Sequence, residues 1–125
     1  MVNFSDFFLV FVGGGMGSAL RFYTGVWILQ SFNPYFPIGT LVVNLIGCFL
    51  LGLILGIAET KNWLGDHATL LLGTGFCGGF TTFSTFSVEA NELLKAGQWL
   101  MLAGYLIGSV GVGIFFAYLG YRIGK

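Results

Sequence analysis

Charge is what this sequence lacks. Of 125 residues only five are basic and five acidic, 8% of the chain. A soluble domain carries about 25% charged residues, so this surface cannot be solvated by side-chain charge. Hydrophobic residues make up 56% of the chain, and the mean hydropathy is +0.89. The solvent that suits such a chain is lipid. A helix needs about 20 apolar residues to cross a bilayer, and four such helices use roughly 80. What remains is enough for short loops and tails. The sequence therefore reads as one compact all-α membrane domain over residues 1–125, without linker, tandem repeat or low-complexity tract.

Four spans are expected at about 7–29, 38–58, 68–88 and 99–121. Asn33, Pro34 and Pro37 mark the first turn, because proline and asparagine punctuate loops. Glu59, Lys61, Asn62, Gly65, Asp66 and His67 form a polar connection, and the polar stretch Glu89–Gln98 forms another. Only Asp6 precedes the first long apolar run. A signal peptide begins with basic residues, so the first segment is expected to stay in the membrane. Trp27, Trp63 and Trp99 fall near span ends, where interfacial anchors belong.

The 21 glycines often sit four apart, as in Gly13/Gly17, Gly14/Ser18, Gly52/Gly56, Gly75/Gly79 and Gly104/Gly108. Small residues let helices approach closely in lipid, and most of these glycines read as packing. Cys48 and Cys77 lie in apolar stretches and read as free thiols. A net charge of zero argues against nucleic-acid or polybasic lipid-headgroup binding. The single histidine, His67, is in a loop, so a transition-metal site is not expected. No nucleophile–base set suggests an enzyme.

Orientation is weakly encoded. Lys/Arg excess marks the cytoplasmic side. Lys61, Arg122 and Lys125 fall on one side, against Lys95 and Arg21 on the other. So small a bias is compatible with insertion in both directions and with pairing of opposed copies. It is equally compatible with one lysine fixing one orientation. Four short helices enclose little space, so a path between subunits is easier to form than one within a subunit.

The third span is the unusual one: GTGFCGGFTTFSTFSVE, Gly73 to Glu89. Gly78-Gly79 weakens a helix by about 1 kcal/mol per glycine. Either the helix is unbroken and crosses a neighbour tightly, or it breaks and its freed backbone groups meet protein, water or an ion. Phe80, Phe83 and Phe86 form one stripe on a regular helix. It adjoins Thr82, Ser84, Thr85 and Ser87. The positive edge of an aromatic ring can meet an anion. Asn44 is an amide inside the second span and needs partners there. Arg21 is a charge near the end of the first span, a functional candidate or a snorkelling side chain. Tyr105 and Ser109 lie four apart on one face of the fourth span. The acids Asp6, Glu59, Asp66, Glu89 and Glu92 are all assigned to ends or loops. A proton-coupled exporter needs a carboxylate within the membrane.

GGGMGSALRF, GTLVVNLIG and GFCGGFTTFSTFSVE, in that order, resemble the Fluc (CrcB) family of fluoride channels, over essentially the whole chain. The resemblance implies a fluoride-specific channel that passively exports fluoride across the cell membrane and lowers its toxicity inside. It implies an antiparallel, dual-topology homodimer of four-helix subunits with two pores. It also implies a third helix broken near Gly78-Gly79, whose Gly78 and Thr81 carbonyls bind a structural, untransported sodium ion. Phe83 and Phe86 would contact fluoride, with Asn44 as pore amide and Ser84, Thr85, Tyr105 and Ser109 as the polar track. Arg21 would be the vestibule cation. Neither nucleotide nor proton coupling is implied. Some relatives carry a further serine where this chain has Gly113. The rival readings are a small multidrug-type exporter, disfavoured by the missing intramembrane glutamate, and a non-conducting membrane assembly subunit.

Overall fold

The computed structural model describes all residues but Asn33, Pro34 and Asn62, with Gln30 described by its backbone. The turn expected at Asn33-Pro34 and the loop role of Asn62 lie outside the described residues. The described residues form helices and connections, with no strand among them. Helix α1 spans Phe4–Ser31 and α2 spans Ile38–Thr60. Helix α3 covers residues 66–80, α4 spans Phe83–Lys95, and α5 runs Trp99–Gly124. Three of these, α1, α2 and α5, are each long and apolar enough to cross a membrane unbroken. Helices α3 and α4 share the remaining stretch, interrupted between them.

Two glycine seams organise the bundle. On the first, α1 lies against α3. A methyl group at Gly13 would overlap the Leu71 carbonyl oxygen, and one at Gly17 the Phe76 carbonyl oxygen. Gly79 presses on the Gly14 backbone in the same seam. On the second, α2 lies against α5. Gly52 and Gly56 meet the backbone at Ala117 and Tyr121, while Gly120 and Gly124 meet the carbonyls of Phe49 and Leu53. Lipid offers no hydrophobic drive for helices to associate, so this backbone proximity and its dispersion energy supply the attraction. The Gly104/Gly108 pair behaves differently: a methyl at either would meet nothing within 4 Å. This pair makes no close approach to another helix of the same chain.

Two readings of the third span are sharpened. The break expected near Gly78-Gly79 falls two residues on, at Thr81–Thr82. Gly78 is helical (φ −63°, ψ −38°), whereas Thr81 (φ −83°, ψ 159°) and Thr82 (φ −150°, ψ 126°) are extended. Gly79 is used for the approach of α1, which offsets its cost to the helix, whereas a methyl at Gly78 would meet nothing within 4 Å. Thr82 has the backbone and the side-chain oxygen of an N-cap: the Thr85 N–H donates to its Oγ1 at 3.2 Å. The break also interrupts the expected phenylalanine stripe. Phe80 ends α3, stacked on Phe76 with centroids 5.9 Å apart, while Phe83 and Phe86 belong to α4.

Nor is Glu89–Gln98 a connection throughout. It is helical to Lys95, rich in Ala, Glu, Leu and Lys, which favour helix. The helix stops at Gly97, whose φ of +69° is left-handed. The Gln98 N–H then donates to the Leu93 carbonyl at 3.0 Å and the Gly97 N–H to Leu94 at 3.1 Å, a Schellman ending. This places Leu93, Phe86 and Tyr105 together in a small core, flanked by Phe36, Leu41 and Leu102.

Trp27, Trp63 and Trp99 are exposed near helix ends, and the Lys61 Nζ sits 5.8 Å over the Trp63 ring. Cys48 and Cys77 are free thiols.

Candidate functional site

The interruption at Thr81–Thr82 is held open by side chains from two other helices. Asn44, on α2, clamps the main chain of Thr82, bonding the two peptide groups that flank it. Its Nδ2 donates to the Thr82 carbonyl at 3.0 Å, and the Thr82 N–H donates to its Oδ1 at 2.7 Å. Arg21, on α1, donates through Nε to the Gly79 carbonyl at 3.0 Å, and the Ser18 hydroxyl reaches the same oxygen at 3.4 Å. A cation at a helix C-terminus also opposes the negative end of the helix dipole. Arg21 thus caps α3 as well as facing a cavity.

Two pockets flank the break. The inner one, about 270 Å³, is lined by Asn44, Phe83, Phe86 and Ser109 together with Thr81 and Thr82. Phe83 is 79% exposed and Phe86 is 8% exposed; their rings are 5.6 Å apart and tilted by 40°. The Ser109 Oγ is buried with no protein partner among the described residues. Ser109 is among the residues lining the pocket, and a hydroxyl without a partner keeps a proton to offer. Phe83 is the first residue of α4, so the pocket adjoins the end of a 13-residue helix where N–H groups lack intrahelical acceptors. Such ends favour anions.

The outer pocket, about 390 Å³, is lined by Arg21, Thr85, Thr82, Thr40 and Glu89 among others. Glu89 was assigned to a connection; it lies instead within α4, partly buried. The Thr40 hydroxyl donates to its Oε1 at 2.7 Å and the Tyr105 hydroxyl to its Oε2 at 2.7 Å. Tyr105 is wholly buried, its ring 5.0 Å from Phe86 and 5.6 Å from Phe36 in edge contacts. It packs against Phe86 and is not in the lining of the outer pocket, which it borders through its bond to Glu89. Ser84 is exposed, its hydroxyl 3.1 Å from Thr82 Oγ1, and Thr85 Oγ1 is 3.2 Å from the same atom.

The structure therefore joins Asn44, Phe83, Phe86 and Ser109 at one pocket and puts Arg21 and Thr85 at the next. Thr82 lies between them, on both linings. Sequence reasoning missed Thr82, Thr40 and Glu89 as members of the site. Two spacings carried a signal: Thr40 and Asn44 are four apart on α2, and Thr85 and Glu89 are four apart on α4.

The break also strips particular carbonyls. In a continuous helix each N–H bonds the carbonyl four residues back. Gly78 would receive the Thr82 N–H, which goes to Asn44; Thr81 would receive the Thr85 N–H, which goes to Thr82 Oγ1. Oxygen donors without charge suit a hard monovalent cation, and unwound carbonyls are the usual source of them in membrane proteins.

Fold and site together describe a multi-pass protein of the cell membrane with neutral hydrogen-bonding groups beside a broken helix. The sequence profile described as "CrcB-like protein, Camphor Resistance (CrcB)" matches residues 8–121, and the chain belongs to that family. Among its relatives is a protein of Aquifex aeolicus named fluoride-specific ion channel FluC. It is 44% identical over 94% of this chain and 95% of its own length. Proteins of the same name from Oceanobacillus iheyensis (45% identical, 92% of this chain and 88% of the relative) and Prosthecochloris aestuarii (44%, 98% and 95%) are similar.

Proposed function

We propose that this chain is the subunit of a fluoride-specific channel that lets the membrane potential expel fluoride, and that it is not an enzyme. The observation that carries the reading is the inner pocket. It joins an amide, a free hydroxyl, two phenylalanine rings and a helix N-terminus, in a chain similar along nearly its whole length to proteins named fluoride-specific channels. Fluoride holds its water tightly, and a pore must replace that water without trapping the ion. Neutral donors arranged in succession meet both demands. The second amide proton of Asn44 and the hydroxyls of Ser109, Ser84 and Thr85 offer hydrogen bonds. Ring edges of Phe83 and Phe86 offer weaker positive contacts. Arg21 supplies the positive potential at the entrance.

The functional unit in this reading is an antiparallel homodimer with two pores. The exposure of Phe83 beside the pocket supports it, because one copy leaves that wall open. The weak Lys/Arg asymmetry supports the opposed orientation. A structural sodium ion would be held by the Gly78 and Thr81 carbonyls and would add fixed positive field. The freed state of those two oxygens fits that role.

Glu89 bears on the exporter alternative, since it is a carboxylate inside the bundle. Both of its oxygens accept hydrogen bonds, one from the Thr40 hydroxyl and one from the Tyr105 hydroxyl, which gives it a structural role in holding the bundle.

The test is ion efflux from liposomes containing the purified protein. Electrogenic fluoride efflux without chloride leak, reduced in Phe83→Ile and in Asn44→Asp, is the expected result. Well-folded protein that passes no fluoride overturns the channel reading and favours an assembly subunit. Flux that requires a proton gradient favours the exporter.

A further inference from the structure

The Asn44 side chain does more at the break than line a pocket. Its two polar atoms are both engaged with the main chain of one residue, the Thr82 N–H and carbonyl, at 2.7 and 3.0 Å. An amide bonded this way substitutes for the neighbouring turn of helix: it gives Thr82 the acceptor and the donor that a continued α3 would have given. Thr82 repeats the device one turn on, taking the Thr85 N–H with its own hydroxyl at 3.2 Å.

The consequence lies in which carbonyls lose their donors. Cys77 keeps its helical bond from the Thr81 N–H at 3.0 Å and receives the Thr81 hydroxyl at 2.9 Å. Gly79 is supplied by Arg21 and Ser18. Gly78 and Thr81 are the two whose helical donors have been diverted to a side chain. We propose that Asn44 and Thr82 are the positioning residues of the cation site. By diverting the Thr82 and Thr85 N–H groups they free the Gly78 and Thr81 carbonyls for the ion and fix the turn that presents them. This rests on the sodium reading given above. It gives one amide two tasks, a proton toward the pore and a clamp on the cation's ligands, so the two sites are coupled through Asn44.

The test uses no flux. The thermal unfolding midpoint of the purified protein in detergent is followed as sodium chloride replaces N-methylglucamine chloride at constant ionic strength. Wild type, Asn44→Ala, Thr82→Val and Thr82→Ser are compared. Ser31→Ala serves as the control, since its hydroxyl bonds the Trp27 carbonyl at the far end of α1. Loss of a residue that orients metal ligands weakens binding by about 10- to 100-fold. The half-saturating sodium concentration is expected to rise by about tenfold or more in Asn44→Ala and Thr82→Val, and to return close to wild type in Thr82→Ser. The Thr82 pair removes or keeps one hydroxyl with little change of volume, so it decides the matter if Asn44→Ala does not fold. A sodium-dependent wild type with an unshifted Thr82→Val overturns the positioning role and leaves the sodium site standing. A wild type indifferent to sodium overturns the sodium site and this inference together.

Discussion

Glu89 accepts hydrogen bonds from two hydroxyls carried by two other helices, Thr40 on α2 and Tyr105 on α5. It ties α4, which has few neighbours otherwise, to the rest of the bundle. A hydrogen bond to a charged acceptor contributes about 1.5–3 kcal/mol. Tyr105→Phe and Thr40→Val are each expected to lower unfolding stability in detergent by about that amount. The double variant is expected to depart from additivity, because both donors share one acceptor. Strict additivity would show that the carboxylate is satisfied elsewhere. At this scale the sequence was partly legible. Asn44 and Arg21 stand out as polar groups in apolar runs. Glu89 did not, because a polar stretch near a span end reads as a loop, and the bonds that hold it in the bundle come from residues far away in sequence. Thr82 was hidden for a related reason: its partner is backbone, and no side-chain pattern announces that.

The two seams show how the elements use glycine. A methyl group at Gly120 would overlap the Phe49 carbonyl oxygen, while one at Gly104 meets nothing within 4 Å. Gly120→Ala is expected to force α2 and α5 apart and to lower stability by about 1–3 kcal/mol or more. Gly104→Ala is expected to leave the subunit's fold intact, and alanine favours helix by about 1 kcal/mol. Comparing the helicity and unfolding midpoint of the two variants checks both. A tolerated Gly120→Ala would mean that the seam can relax. The helices and most glycine seams were legible as spans and spacings. The exact place of the break was not: glycine weakens a helix in isolation, but Gly79 lets α1 in close, and the chain opens two residues on, where a threonine can cap the next helix.

The whole molecule, in the proposed reading, is two copies. Its mass in mild detergent, after subtraction of bound detergent, is expected to be twice the 13.5 kDa of one chain. A monomer at all concentrations would leave the exposed Phe83 wall without its complement. If Gly104→Ala folds yet loses the dimer, the open α5 face of Gly104 and Gly108 is where the second copy sits; if the dimer persists, the contact lies elsewhere.

The interruption at Thr81–Thr82 also bears on how the chain enters the membrane. Apart from Arg21, its polar groups are peptide carbonyls, peptide N–H groups, an amide and hydroxyls, none of which has a net charge. Insertion machinery chiefly weighs lysines and arginines close to the span ends. A site made of peptide dipoles is invisible to that weighing, whereas a charged binding ring would enter the count. Arg21 excepted, the chemistry that handles ions is thereby separated from the signal that sets direction. Orientation is left to a handful of end residues such as Lys61, Lys95 and Lys125, which can change without touching the ion's surroundings.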